Sequence, residues 1–137
     1  MSLARTIFAA ALILACIANA AAQTQPAPLA CDVGPLKKSY GGSEWGIYSC
    51  TDSRTVIFYS VAGSPAAPFY FMFFRDAQGL RLYGEGNGDK QATSRAAEEL
   101  AKFSVEDVDA LVEETRTIAS AQGKAGAADR PGGAEQP

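Results

Sequence analysis

The chain has 137 residues, 20% of them charged, and a formal net charge of −3 at pH 7. This mild acidity argues against a nucleic-acid partner, which would require a basic patch. Histidine is absent, which excludes a Ser-His-Asp triad and removes the most common general base and metal ligand. No cofactor and no metal are therefore expected.

The first residues have the pattern of an export signal. Arg5 supplies a positive charge, and no charged residue follows it within the segment. The apolar centre, from Ile7 to Ile17, is too short for a transmembrane helix, which needs about 20 apolar residues. Small-residue cleavage sites end at Ala20 and Ala22. The sequence therefore predicts a signal peptide over residues 1–22, whose removal leaves a periplasmic or secreted protein without a membrane span.

A second way of processing this segment stays open. Residues 13–16, Ile-Leu-Ala-Cys, resemble the lipobox of bacterial lipoproteins, in which a small residue precedes the cysteine that receives lipid. That resemblance implies a lipid anchor at Cys16. The apolar stretch continues past Cys16 to Ala22, which favours ordinary cleavage.

Two cysteines remain once the signal is removed. Cys31 and Cys50 form an even pair in an exported chain, so a disulfide between them is predicted. Their pairing leaves no thiolate to act as a zinc ligand or nucleophile. The bridge would close a loop of about 20 residues and would help a domain with a small core.

The composition of the mature chain changes at both ends. Residues 23–30 form a Pro-containing linker with little to bury. Residues 121–137 are rich in Gly, Ala and Pro without a periodic apolar face, which predicts a disordered tail. A single small domain is therefore expected over residues 31–120.

Strand-like runs open this domain. The prolines of residues 63–68 predict a connection between two hairpins, because proline removes a backbone donor. A turn from Asp76 to Gly79 closes the second hairpin. The four predicted strands are residues 44–50, 54–61, 69–74 and 80–83.

After these strands the spacing of apolar residues changes to that of a helix. Residues 93–102 are good helix formers, and Ser104 with Asp107 approximates a capping box for a second helix. In that second helix apolar residues recur at helical spacing. The predicted fold is α+β: a four-stranded antiparallel sheet of two hairpins with two C-terminal helices packed on one face.

Strand alternation divides the predicted sheet into two different faces. Pairing Cys50 with Thr55 and Arg75 with Leu80 sets the registers, and most apolar residues then share the face that should meet the helices. The other face combines aromatic rings with hydroxyls and a guanidinium, as protein interfaces do. Alternatively, residues 32–40 lie over this face and leave nothing to bind. The candidate partner-binding residues are Tyr48, Tyr59, Tyr70, Arg81 and Tyr83.

Residues 84–90, from Gly84 to Lys90, form a Gly-rich segment before the first helix. Such a turn can bind phosphate, and potential calcium ligands alternate from Glu85 onward. The segment matches neither phosphate-loop pattern, and an EF-hand loop starting at Glu85 lacks the required Gly and Glu, having Lys90 and Ala96. A linker that ends in a helix capped by Asp89 is the simpler interpretation.

Residues 48–56, Tyr-Ser-Cys-Thr-Asp-Ser-Arg-Thr-Val, resemble the first hairpin of the small periplasmic inhibitors of C-type lysozyme. The resemblance implies an exported domain with a strand cysteine in a disulfide. That family has a β-barrel fold without two C-terminal helices, and its later inhibitory segment has no counterpart here. No functional residue is therefore carried over.

Two classes of function stay open. The favoured one is a non-catalytic binding or structural module of the cell envelope that contacts another envelope protein. An inhibitor of a cell-wall-lytic enzyme is a narrower form of this class. The alternative is an envelope enzyme that uses paired, buried carboxylates. Glu106, Asp109 and Glu113 lie on the predicted solvent side of the second helix, so no catalytic residue is assigned.

Overall fold

The computed structural model describes residues 26–128, so the predicted signal peptide with Cys16 lies outside the described residues. Five strands form one antiparallel sheet in the order β1-β2-β3-β4-β5, and two helices follow. The predicted α+β class, with its two C-terminal helices, is confirmed. The elements are β1 Val33–Tyr40, β2 Ser43–Ser49, β3 Val56–Ser60, β4 Phe69–Asp76, β5 Gly79–Gly86, α1 Lys90–Leu100 and α2 Val105–Ala128.

The sheet has one strand more than the sequence indicated. β1 contains Gly34, Pro35 and two lysines, which are residue types depleted from strands. It pairs with β2 at the edge of the sheet, and its register shifts between Val33 and Leu36, where the glycine and proline lie. The segment therefore extends the sheet, and the alternative that residues 32–40 lie over the tyrosine-bearing face is wrong.

β1 and β5 stand at opposite ends of the strand order, so the sheet is open. The barrel of the lysozyme-inhibitor family is not formed by these strands. None of the helices within residues 26–128 is both long enough and apolar enough to cross a membrane.

The predicted disulfide joins Cys31 to Cys50. It ties the chain just before β1 to the end of β2. Beside it, the N–H of Thr51 donates to the carbonyl of Ala30 at 2.7 Å. The end of the linker is therefore fixed against the turn between β2 and β3.

Both helices begin at the capping residues that the sequence indicated. Asp89 accepts a hydrogen bond from the N–H of Ala92 at 2.9 Å. Ser104 and Asp107 exchange two hydrogen bonds, of 2.8 and 3.2 Å, which is the reciprocal geometry of a capping box. The backbone N–H of Ser104, which donates to the Asp107 carboxylate, and then the Ser104 hydroxyl hold the pKa of Asp107 below its ordinary value.

α2 continues beyond residue 120, where the domain was predicted to end. Its last turns are rich in alanine, the best helix former, and residues 121–125 are exposed. The helix therefore takes up the first part of the predicted tail, of which residues 121–125 stay exposed. Residues 129–137 lie outside the described part of the chain.

The core lies between the helices and one face of the sheet. α2 packs mainly against β1 and β2, which leaves β5 less covered. For this reason Leu80 and Leu82, whose side chains face the helices, are only partly buried. The buried apolar residues of the strands are Trp45, Ile47, Val56, Phe58, Phe71 and Phe73, and those of the helices include Ala96, Leu100, Val108, Leu111 and Val112.

One buried polar contact joins α2 to the sheet. The hydroxyl of Thr115 lies 2.7 Å from the hydroxyl of Ser49 and 2.8 Å from the carbonyl of Val112. Thr115 and Ser49 are both at most 1% exposed. Each of the two hydroxyls therefore has a hydrogen-bond partner inside the core, and their contact fixes where α2 crosses β2.

Candidate functional site

The strands adopt both hairpin registers that the sequence indicated. Tyr48 pairs with Ile57 in the first hairpin, and Arg75 pairs with Leu80 in the second. Because side chains alternate between the faces, the four tyrosines that were predicted to share a face all lie on the face opposite the helices. We call Tyr48, Tyr59, Tyr70 and Tyr83 the tyrosine row.

The tyrosine row crosses four adjacent strands, from β2 to β5, with one ring on each. Ring centroids are 6.0 Å apart for Tyr48 and Tyr59, 6.2 Å for Tyr59 and Tyr70, and 6.1 Å for Tyr70 and Tyr83. These separations fall within the range in which aromatic pairs attract. Tyr59 and Tyr83 remain 46% and 44% exposed, so the row is accessible as one continuous aromatic surface.

Glu85 organises the hydroxyl groups at one end of this row. Its Oε2 accepts hydrogen bonds from the hydroxyls of Tyr83 at 2.6 Å and of Tyr70 at 3.2 Å. The hydrogen bond to Glu85, with partial desolvation, raises the pKa of Tyr83 to about 12. Partial desolvation and the same carboxylate also raise the pKa of Tyr70. Both hydroxyls are protonated at neutral pH, as tyrosine ordinarily is, and both donate to the same carboxylate oxygen.

Arg81 is on the same face but outside the row. It pairs with Phe74, and its Nε lies 3.0 Å from Oδ2 of Asp76 at the turn between β4 and β5. The structure therefore brings the four predicted tyrosines together and places the fifth candidate residue beside Tyr83, nearer the turn. The site prediction missed Glu85, because the sequence suggested it only as a calcium ligand.

A groove of about 730 Å³ opens at the end of the sheet next to Tyr59 and Tyr70. Its walls come from the β3–β4 connection and the end of β5, which the pairing of Phe69 with Gly86 brings together. Glu85 is the charged residue among those that line it. The full lining is Tyr59, Ser60, Ala62, Gly63, Ala67, Pro68, Phe69, Tyr70, Glu85, Gly86 and Asn87.

In the Gly-rich segment, the backbone donors of residues 87–89 are engaged within the chain. The N–H groups of Asn87 and Gly88 both donate to the carbonyl of Pro68, and that of Asp89 donates to the carbonyl of Pro65. A phosphate would have to displace these bonds. Within residues 26–128, no three acidic, histidine or cysteine side chains are grouped closely enough to hold a metal ion.

No protein-family model, no curated protein and no solved structure matches this chain. The tyrosine row, Glu85 and the adjoining groove are therefore the features of the chain that bear on its function.

Proposed function

We propose that this chain is a small, exported, non-catalytic module that binds a protein of the cell envelope through its tyrosine row. The observation that carries the proposal is the continuous contact of four tyrosine rings on the face opposite the helices. Tyrosine combines a large rigid contact area with a hydroxyl, and it is enriched at protein interfaces. The disulfide supports a periplasmic or secreted location, since disulfides persist in oxidising compartments.

The groove next to the row suits an anchoring side chain of the partner. Tyr59 and Tyr70 contribute aromatic rings to it, and Glu85 contributes a carboxylate. An aromatic surface beside a carboxylate attracts a cation both through the ring quadrupole and through the opposite charge. We therefore expect the partner to place a lysine or arginine side chain in this groove.

The competing proposal is an enzyme that uses two carboxylates as acid and base. Such a mechanism needs two acidic groups whose environments push their pKa values apart. Among the residues lining the groove, Glu85 is the one acid, and its Oε2 already accepts two hydroxyl donors. This arrangement favours binding over hydrolysis.

The test is capture of envelope proteins on the immobilised mature protein, with the disulfide intact. Tyr59→Ser/Tyr70→Ser removes the centre of the row, and Gly46→Gln covers it while leaving every tyrosine in place. A Cβ at Gly46 would meet its nearest atoms at 3.8 and 3.9 Å, so this variant should fold. Arg95→Gln, on the exposed side of α1, is the matched control.

A protein retained by the wild type and the Arg95 variant, but lost by both row variants, supports the proposal. Equal retention by all four proteins would show that binding uses another surface. The narrower proposal, inhibition of a cell-wall-lytic enzyme, is assayed with the same variants. In that assay the wild type should inhibit the lytic enzyme, and both row variants should fail to inhibit it.

A further inference from the structure

The two edges of the sheet differ in their protection against pairing with another strand. β1 contains Pro35, a register shift between Val33 and Leu36, and the two lysines Lys37 and Lys38. Proline, bulges and lysine are among the features that block strand addition at sheet edges. The eight residues of β5 pair with β4 in one unbroken register and contain neither proline nor lysine. β5 is therefore an edge open to strand addition.

Hydrogen-bond alternation determines which backbone groups of β5 face outward. The N–H of Cys50 donates to the carbonyl of Thr55, which fixes the alternation between β2 and β3. Each strand directs the backbone groups of successive residues alternately to its two neighbours, so the alternation continues through the β3–β4 and β4–β5 registers. In β5 it directs the backbone groups of Tyr83 toward β4. The N–H and C=O groups of Leu82 and Gly84 consequently point away from the sheet.

The charges on β5 are self-complementary about Tyr83. Arg81 lies two residues before it and Glu85 two residues after it, on the same face. In an antiparallel pair of β5 strands centred on Tyr83, each Arg81 would stand opposite Glu85 of the other copy. Within the described part of the chain, known contacts occupy only Nε of Arg81 and Oε2 of Glu85. The other polar atoms of both side chains can form the cross-copy ion pair.

We infer that two copies of this chain associate by antiparallel pairing of their β5 strands about a two-fold axis at Tyr83. Leu82 of each copy exchanges backbone hydrogen bonds with Gly84 of the other. The two Tyr83 rings meet as a non-hydrogen-bonded pair, the position where cross-strand side chains are closest. The two five-stranded sheets become continuous, and each copy extends the tyrosine row of the other. The inference does not depend on the proposed function.

The test is sedimentation equilibrium of the mature protein at concentrations up to about 1 mM, because pairing through one strand buries little surface and gives a weak dimer. Arg81→Glu and Glu85→Arg each place like charges opposite one another, and each should raise the dimer dissociation constant about tenfold. The double variant restores opposite charges with the sign reversed, and should return the constant toward the wild-type value. The double variant also lacks every intrachain contact that the two single variants lack. A recovery of its dimer dissociation constant can therefore come only from the contact between copies.

A second variant tests the register independently of these charges. Tyr83→Cys should form a disulfide-linked dimer on mild oxidation, whereas Tyr59→Cys, in the interior of the sheet, should not. The inference is overturned by a wild type that stays monomeric throughout the concentration range. It is equally overturned by single charge variants that dimerise like the wild type, or by a double variant no better than the singles. Partner capture by a monomeric wild type would leave the proposed function standing.

Discussion

Gly84 lies against the ring of Phe71, its neighbour across the β4–β5 pair. A Cβ at residue 84 would be 2.7 Å from Cδ1 of Phe71 and 2.8 Å from its Cε1. Phe71 cannot move aside easily, because it is 3% exposed and its ring centroid lies 5.2 Å from that of Trp45. The absence of a side chain at Gly84 therefore allows the ring of Phe71 to pack directly against the backbone of the edge strand β5.

We expect Gly84→Ala to destabilise the domain by about 1–3 kcal/mol through overpacking. Gly46→Ala is the matched control, because its Cβ would make only ordinary contacts, the nearest at 3.8 Å. Denaturant unfolding of the two variants measures the difference. Equal stability of both would show that Phe71 relaxes without cost.

The buried pair of Ser49 and Thr115 offers a second measurement. Thr115→Val keeps the shape of the side chain but leaves the Ser49 hydroxyl without its partner on α2, which should cost about 1–3 kcal/mol. Ser49→Ala combined with Thr115→Val removes both hydroxyls and should cost less than the sum of the single changes. Additive costs in this double-mutant cycle would mean that the two hydroxyls do not interact.

The ionisation of Tyr83 tests the hydrogen bond to Glu85. Its pKa is raised from 10.0 to about 12, so the folded state holds its proton more tightly than the unfolded state. The stabilisation is complete below the unfolded pKa and is lost as the pH rises from about 10 to about 12. In an ultraviolet titration of all the tyrosines, Glu85→Gln should move the pKa component of Tyr83 from about 12 toward 10 and leave that of Tyr40, also raised to about 12, in place. An unchanged titration would exclude the carboxylate as the cause.

Export processing is checked by the intact mass of the exported protein. We expect an N-terminus just after Ala20 or Ala22, and a mass lighter by the hydrogens lost in forming the Cys31–Cys50 bridge. Alkylation without reduction should then label neither cysteine. A lipid-modified N-terminus at Cys16 would replace this expectation with membrane anchoring.

Alternation of residue types made both hairpins predictable. In the second hairpin Phe71 and Phe73 alternate with Tyr70 and Met72, so one register buries the phenylalanines against the helices. A slip by one residue would have exposed them. The placement of the tyrosine row followed from the same parity, without knowledge of any tertiary contact.

The features that the sequence did not indicate depend on contacts between distant segments. β1 has poor strand composition, and it is held in place by the disulfide at its start and by α2 packed against it. The groove combines the β3–β4 connection with Gly86 and Asn87, which come together only when Phe69 pairs with Gly86. The role of Glu85 depends on Tyr70 and Tyr83 reaching it from neighbouring strands.

The disulfide also determines at which end of the domain a tether would be attached. Cys31 and Cys50 lie at the end of the sheet where β1 begins and β2 ends, whereas the groove opens where β3 and β5 end. Strands of this length separate the two ends by about 25 Å. Any attachment through residues ahead of Cys31, whether to lipid or to a larger assembly, therefore joins the domain at the end opposite the groove and leaves the mouth of the groove unobstructed by the tether.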